Sequence, residues 1–491
     1  MSTSSEMKQF HHETAKKDRV SLREKIGLGF GRVVTDGTHG TLHVLINPVY
    51  NMTLGVNPAL ISTIIFIQRI WDAMLDPFFG QFSDNFRSKW GRRRPLLLLG
   101  AFPVSALFVL LWWFPRGAGS GHLFWHLLLV SLGFYAAYAM YTVPLNGLVV
   151  EATDDYHERT RLAGIVLAFG FAAQIGSQWI FPLTQASFFS DSITGVRCVS
   201  LGCGVLFLLA ALVPVVLCRE RLYEKVTAKQ ARVPFRASLK ATSGNKAFMS
   251  LLCARGVFSF GYNVVGVLGG YMQTYYVLGG DIKRAAPIAA VIGSSFHIAA
   301  IIMSLLVYPR VEKHLGKRRT MQMACCILLI DCLAKYWLYR PGYAWFPIAV
   351  IIMNGIANSG VSLMCIAMLG DIADQEEYRT GRRSEGLFVA LLAWFEKAGN
   401  SLGSFLTGFI LVWIGFDAKL GGQTGHTLSL MKWCYMVFPA AGALLTLYFI
   451  NRYDLTQEQT YLIRDELAHR RTAGSESGSN PLIATGLRHP I

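Results

Sequence analysis

Apolar residues in this chain come in long blocks separated by short polar and basic stretches. In the first half the blocks lie near 27–50, 58–80, 95–115, 122–150, 162–187 and 198–218. In the second half they lie near 247–278, 286–308, 319–339, 344–370, 386–415 and 430–451. Each is long enough to cross a bilayer as a helix. The pattern predicts an all-α integral membrane protein with twelve transmembrane helices. The first block, which contains "RVVTDGTHGTLHVLINP", is the most polar of the set.

The polar stretches set orientation. The loop after the second block carries Arg87, Lys89, Arg92, Arg93 and Arg94, and the loop after the eighth carries Arg310, Lys313, Lys317, Arg318 and Arg319. The loops after the third and ninth blocks hold only Arg116 and Arg340. Positive residues prefer the cytoplasmic side, so even-numbered spans end inside and both termini are expected there. Residues 219–246 form the longest internal polar segment, with eight Lys/Arg against two Glu. The expected layout is a cytoplasmic segment 1–26, a six-helix bundle 27–218, a linker 219–246, a second six-helix bundle 247–451 and a mobile, Gly/Ser-rich tail 452–491.

The halves echo each other. Gly91–Arg94 reads "GRRR" and Gly316–Arg319 reads "GKRR", 225 positions later. "ERT" at Glu158–Thr160 returns as "YRT" at Tyr378–Thr380, 220 positions later. Two echoes at nearly one offset, both in matching loops, point to duplicated six-helix halves.

Composition narrows the class further. Of 491 residues, 53% are hydrophobic and 15% charged, too few charges for a soluble chain of this length. The net charge of +16 reads as a basic cytoplasmic face and not as a nucleic-acid surface, because the basic residues sit between apolar runs. The nine cysteines show no CxxC pair or Cys/His ligand spacing and read as packing residues, so no metal centre is expected. The polar N-terminal stretch has no apolar core of a cleavable signal. No nucleophile motif, metal cluster or nucleotide loop suggests an enzyme, and no segment is long enough for a soluble signalling domain.

Charges inside apolar blocks are the informative residues, since each costs roughly 2.5–3.5 kcal/mol to insert. Asp72 and Asp76 lie one helical turn apart and share a face. Two such carboxylates favour either a shared proton or a bound cation. Arg32, Asp36, His39, His43 and Asn47 form a one-face stripe suited to lining water or a polar ligand, although pairing of Arg32 with Asp36 is the simpler alternative. Glu396 and Lys397 sit among small residues in "AWFEKAGNSLGSF". Lys397 lies too deep to reach the surface easily, and the partner of Glu396 is open, as is the role of Arg255. Asp331 and Lys335 read as a structural pair, with Lys335 near enough to a helix end to snorkel. Tyr135, Tyr138, Tyr141, Tyr262 and Trp394 supply aromatic faces of the kind sugar sites use.

Two stretches carry a family likeness. "WDAMLDPFFGQFSDNFRSKWGRRRP" and "MLGDIADQEEYRTGRRSEGLFVALLAWFEKAGNSLGSFLTG" resemble the signatures of the glycoside–pentoside–hexuronide:cation symporters, the melibiose permease-like members of the major facilitator superfamily. The likeness implies two pseudo-symmetric six-helix bundles with a binding site near the membrane midplane. It implies cation binding by Asp72 and Asp76, sugar contact by Asp36, and coupling through Lys397. Tyr141, Thr142, Asn146, Trp394, His39 and His43 join Asp36 and Lys397 as expected substrate-binding residues. Asp84, Arg87, Arg92, Arg93, Arg159 and Arg379, with Lys397, are the expected coupling and gating residues. The chain departs from the family pattern at Leu75 (Asn in the family), Ala139 (Thr), Thr142 (Asp) and Asn146 (Trp). Loss of neutral oxygen ligands with both carboxylates kept favours protons over sodium. The expectation is a monomeric, cation-coupled importer of a sugar or glycoside in a bacterial inner membrane. It needs no cofactor beyond the co-transported ion. The alternatives are sodium coupling or transport of a lysolipid or other amphiphile.

Overall fold

Helices are the only regular elements among the described residues of this computed structural model. It describes residues 19–218, 245–380 and 385–467, apart from positions 87, 89, 154, 155, 419, 421, 456, 457, 461 and 464. The side chains of Asp84 and Arg159 and most of the expected linker, 219–244, also lie outside the described residues. In chain order the helices are α1 (Leu22–Ile46), α2 (Pro58–Asn85), α3 (Arg94–Leu110), α4 (Ser120–Glu151), α5 (Tyr156–Thr184), α6 (Ser192–Leu217), α7 (Lys246–Val277), α8 (Ile282–Leu315), α9 (Lys317–Leu338), α10 (Pro347–Thr380), α11 (Glu385–Trp413) and α12 (Gly425–Asn451). Among the described residues nine, all but α1, α3 and α11, are long and apolar enough to cross a membrane. These helices make the chain an integral membrane protein.

Local chemistry explains the helix starts. Asp191, Asn245, Asp281 and Thr424 cap α6, α7, α8 and α12, each accepting a bond from the backbone N–H three residues on. Pro95 sits in the first turn of α3, where a missing N–H costs nothing. Interior prolines such as the buried Pro144 and Pro214 are tolerated because neighbouring helices hold the chain in place.

The chain divides into two compact units. The first takes residues 19–44, 71–118 and 125–218, and the second takes 45–70, 119–124 and 245–467. The division does not fall only at the linker. The end of α1 and the first half of α2 belong to the second unit, where Asn51 accepts from the Tyr271 hydroxyl of α7 at 2.8 Å and Ser62 packs on Gly408 of α11.

In the first unit, α6 packs against both α3 and α5. Its polar anchors cluster where α3 begins and α4 ends. Arg92 and Arg93, both buried, each donate to Glu151 Oε1 at 2.6 Å. The Arg93 guanidinium lies over Gly147, one turn before Glu151, where any Cβ would collide with it. Arg94 caps α6 by donating to the Val215 carbonyl at 2.7 Å. Nearby, Glu158 at the start of α5 accepts from the Val20 N–H at 3.0 Å and pairs with Lys25 at 2.6 Å.

In the second unit, α7 packs against α11 and α12, α9 against α10 and α12, and α8 against α10. One apolar layer joins Phe248, Phe258, Tyr308, Leu328, Met364 and Phe388. The start of the expected mobile tail belongs to this layer: Tyr453 and Leu455 are buried in it and Ile463 packs on it. Asp331 and Lys335 pair at 3.0 Å, both fully buried, with Lys335 over the Tyr435 ring. Lys335 therefore does not snorkel.

The duplication appears inside each unit separately. Gly91 and Gly316 both have positive φ (101° and 77°), which lets a cation turn back onto a helix end. Lys317 donates to both carboxylate oxygens of Asp371 at 2.7 Å and to the Ala367 carbonyl. Asp371 and Ala367 follow Glu151 and Gly147 by 220 positions each. The same anchor, a cation after a turn glycine bound to a carboxylate at a helix end, is built twice.

Two outcomes follow. Gly147→Leu should displace Arg93 and lower thermal stability in detergent by about 1.5–3 kcal/mol, the worth of a charged hydrogen bond. Burial raises the Glu158 carboxyl, but Lys25, the Val20 N–H and Arg161 outweigh it and hold it below its ordinary 4.5. A lowered carboxyl stabilises the fold above its unfolded pKa and loses that contribution as pH falls through its folded value. Glu158→Gln should melt earlier than the parent near neutral pH. The gap should close as the pH is taken below 4.5 in a series of melting curves.

Candidate functional site

Each half of the sequence contributes charged residues to an apolar helix, and the structure gives them different surroundings. On α1 the stripe of Arg32, Asp36, His39, His43 and Asn47 forms the open face of the helix. His43 is exposed and the other four are half-buried, while Val34, Thr35, Thr38, Thr41 and Leu42 pack inward. Arg32 Nε donates to Asp36 Oδ2 at 2.8 Å, so the simpler pairing does form. Asp36 is seated against α5 at Gly170, where a Cβ would strike its carboxylate.

Asp72 is buried, 3% exposed, within apolar α2, and Asp76 one turn on is half-buried. Tyr138 of α4 links the two helices electrically. Its hydroxyl lies in the field of Asp36, Asp72 and Arg32, and it donates to the Thr35 carbonyl at 3.4 Å. Trp71, beside Asp72, ties α2 to α4 by donating to the Leu132 carbonyl at 3.0 Å. Among the described residues no three His, Cys, Asp or Glu side chains converge as a metal-ion cluster would. The first unit therefore offers a buried carboxylate, a half-buried partner on the same face and a neutral Asp–Arg pair, with the Tyr138 hydroxyl in the field of Asp36 and Asp72. Such a set can hold and release a proton while presenting hydroxyl-binding oxygens.

The α4 residues differ from one another. Thr142 is half-buried, and among the described residues its hydroxyl is buried with no hydrogen-bond partner. Asn146 is exposed. Tyr141 is fully buried and donates to the Ala211 carbonyl at 3.2 Å, which makes it a packing link from α4 to α6 and not an open binding position.

In the second unit Trp394 is exposed on α11, and Lys397 is half-buried one turn along. Glu396 pairs with Arg255 of α7, which is buried and also donates to Ser362 of α10 at 3.1 Å. One ion pair thus joins α7, α10 and α11. Arg255 and Glu396 stand 141 positions apart, so no local spacing signals their meeting. The gating set divides in the same way. Arg92 and Arg93 meet Glu151, a residue that sequence reasoning missed although its 220-position echo at Asp371 was available. Arg379 is exposed, and Arg87 lies outside the described residues.

The Arg255–Glu396 pair is asymmetric, with side chains 7% and 39% exposed. Glu396→Ala leaves a buried guanidinium and should cost roughly 3 kcal/mol, whereas Arg255→Met leaves the less buried carboxylate and should cost less. The double variant should fall short of the sum in a thermal-unfolding cycle.

Comparison with known proteins places this geometry. Residues 27–457 match the family model described as MFS/sugar transport protein. An uncharacterized symporter, YnaJ, of Bacillus subtilis is 25% identical, covering 92% of this chain and 96% of the relative. The glucuronide carrier protein homolog of Escherichia coli is 23% identical over 92% and 97%. The solved structure of the nucleoside transporter NupG matches with a TM-score of 0.64 at 14% identity, over 88% of this chain and 100% of that one, which concerns the fold alone. The matched family is one of transporters and not of enzymes. The chain belongs to the MFS/sugar transport protein family, among the glycoside–pentoside–hexuronide:cation symporters that its α2 and α10–α11 motifs resemble.

Proposed function

We propose that this protein is a proton-coupled symporter that takes up a sugar or glycoside by alternating access. The observation that carries the reading is Asp72, a carboxylate 3% exposed inside an apolar spanning helix. A structural role alone gives little reason to keep such a costly group there. Asp76, on the same face, shares the proton, and the Tyr138 hydroxyl lies in the field of both Asp36 and Asp72. Asp36, with its charge balanced by Arg32, holds sugar hydroxyls beside Thr142, His39 and His43. Lys397 couples the second half to the same event. The relative named as a glucuronide carrier protein homolog supports a sugar derivative as the substrate class. Leu75 between the aspartates supplies no oxygen, which favours a proton over sodium.

The twelve helices act as two pseudo-symmetric six-helix bundles with both termini in the cytoplasm, in a bacterial inner membrane. The duplicated anchors, Arg92–Arg93–Glu151 and Lys317–Asp371, hold the cytoplasmic helix ends in register. They release and reform as access alternates.

A panel of glycosides screened by substrate-induced thermal stabilisation identifies the substrate. Gradient-driven uptake of that substrate into membrane vesicles then tests the coupling. Asp72→Asn should abolish accumulation above the external level while leaving exchange of internal for external substrate intact. Accumulation driven by an imposed pH gradient with sodium absent is the expected parent behaviour. Unchanged accumulation in Asp72→Asn would remove Asp72 from the coupling, and an absolute need for sodium would replace the proton.

A further inference from the structure

We infer that the start of α9 and the end of α12 together bind the headgroup of an anionic phospholipid, with Arg318, Arg319 and Arg452 holding its phosphate. The inference rests on the membrane-spanning fold and on neither the sugar nor the ion.

All the residues lie in the second unit, where α9 packs against α12. Arg318 donates to the Asn451 carbonyl at 2.8 Å, and Gln322 donates to Asn451 Oδ1 at 2.6 Å. These two bonds pin the first turns of α9 beside the last turn of α12. Arg319 and Arg452, the next residues after Arg318 and Asn451, are thereby set at one edge of the bundle. The Arg452 guanidinium lies over the Tyr448 ring, 4.5 Å from its centroid, a contact that leaves its N–H edge free to donate. All three arginines are exposed, and among the described residues none of them forms an ion pair. Lys317 is already taken by Asp371. In 317–322 and 448–455 the one acid is Asp454, so three arginines stand against one carboxylate.

What lies below the arginines decides which anion they hold. On α9, Arg319, Ile330, Leu333 and Trp337 fall on one helical face, and all are exposed. On α12, Ala441, Leu445, Tyr448 and Arg452 do the same. Each helix thus carries an outward apolar stripe that ends in an arginine. A free phosphate uses the arginines and leaves both stripes idle. A phospholipid uses both, with guanidinium forks on the headgroup phosphate and acyl chains along the stripes. The surplus of positive charge favours a headgroup with net negative charge over a zwitterionic one. The end of α8 is also basic, with Arg310 and Lys313 exposed, but Arg310 turns back onto the Leu306 carbonyl of its own helix. That pair of cations serves as the internal control.

The test uses the full-length protein in neutral detergent micelles and needs no transported substrate. Phosphatidylglycerol or phosphatidylcholine with the same acyl chains is titrated in, and native mass spectrometry counts the lipid retained. The parent should hold phosphatidylglycerol about tenfold or more tightly than phosphatidylcholine. Arg319→Gln with Arg452→Gln should weaken phosphatidylglycerol roughly 25-fold, about fivefold for each arginine, and leave phosphatidylcholine unchanged. Arg319→Gln alone should cost about fivefold and keeps the test open if the double variant folds poorly. Arg310→Gln with Lys313→Gln should leave both affinities as in the parent. In melting curves phosphatidylglycerol should stabilise the parent and not the double variant, while inorganic phosphate stabilises neither. Equal retention of the two lipids by the parent overturns the site. So does equal loss in the α8 control, which shows only diffuse attraction to a basic face. Stabilisation by inorganic phosphate equal to that by phosphatidylglycerol replaces the lipid with a free anion. A two-chain mass that the double variant reduces to one chain makes the stripes an interface between copies and overturns the lipid site. None of these results touches the coupling role of Asp72, which the gradient experiment judges separately.

Discussion

A charge that enters a lipid bilayer must be neutralised by the protein that carries it in. That constraint organises this molecule. Arg32 meets Asp36, Arg255 meets Glu396, Lys335 meets Asp331 and Lys317 meets Asp371. Each pair is also a fastener, because the partners sit on different helices or on successive turns. The desolvation cost of such pairs makes them weak as sources of stability but strong as specifiers of which helices meet. The fold is therefore held by apolar layers and addressed by charges. The polar α1 stripe and the buried Asp72 stand out because packing alone does not call for them.

Duplication lets one solution serve twice. A positive-φ glycine, a cation after it and a carboxylate some 54–59 residues later make the same helix-end anchor in both halves. The copies differ in detail: two arginines share Glu151, while one lysine takes both oxygens of Asp371. The π-helical turns after α1 and within α7 repeat at the offset of the turn glycines. The anchors where α3 and α9 begin are ion pairs, whereas the π-helical turn after α1 meets α7 through a neutral hydrogen bond between Asn51 and Tyr271.

Much of this was legible in the sequence. Spanning helices can be read from hydropathy because every backbone polar group in lipid must be bonded within its own helix, so length and apolarity suffice. The described helices follow the predicted blocks to within several residues, except that α10 runs ten residues past the end of its block. The i,i+4 pairs, Arg32–Asp36 and Asp331–Lys335, could be read from helical geometry. The family followed from two motifs in opposite halves. Only tertiary structure decided the long-range pairings. Arg255 finds Glu396, both arginines find Glu151, Tyr271 finds Asn51, and the start of the tail packs into the core. It also separated Tyr141, which is spent on packing, from Thr142 and Asn146 on the same helix. The physical reason is common to all of these. Periodicity records which residues share a helix face, whereas a buried polar group takes its partner from whatever helix the packing brings beside it.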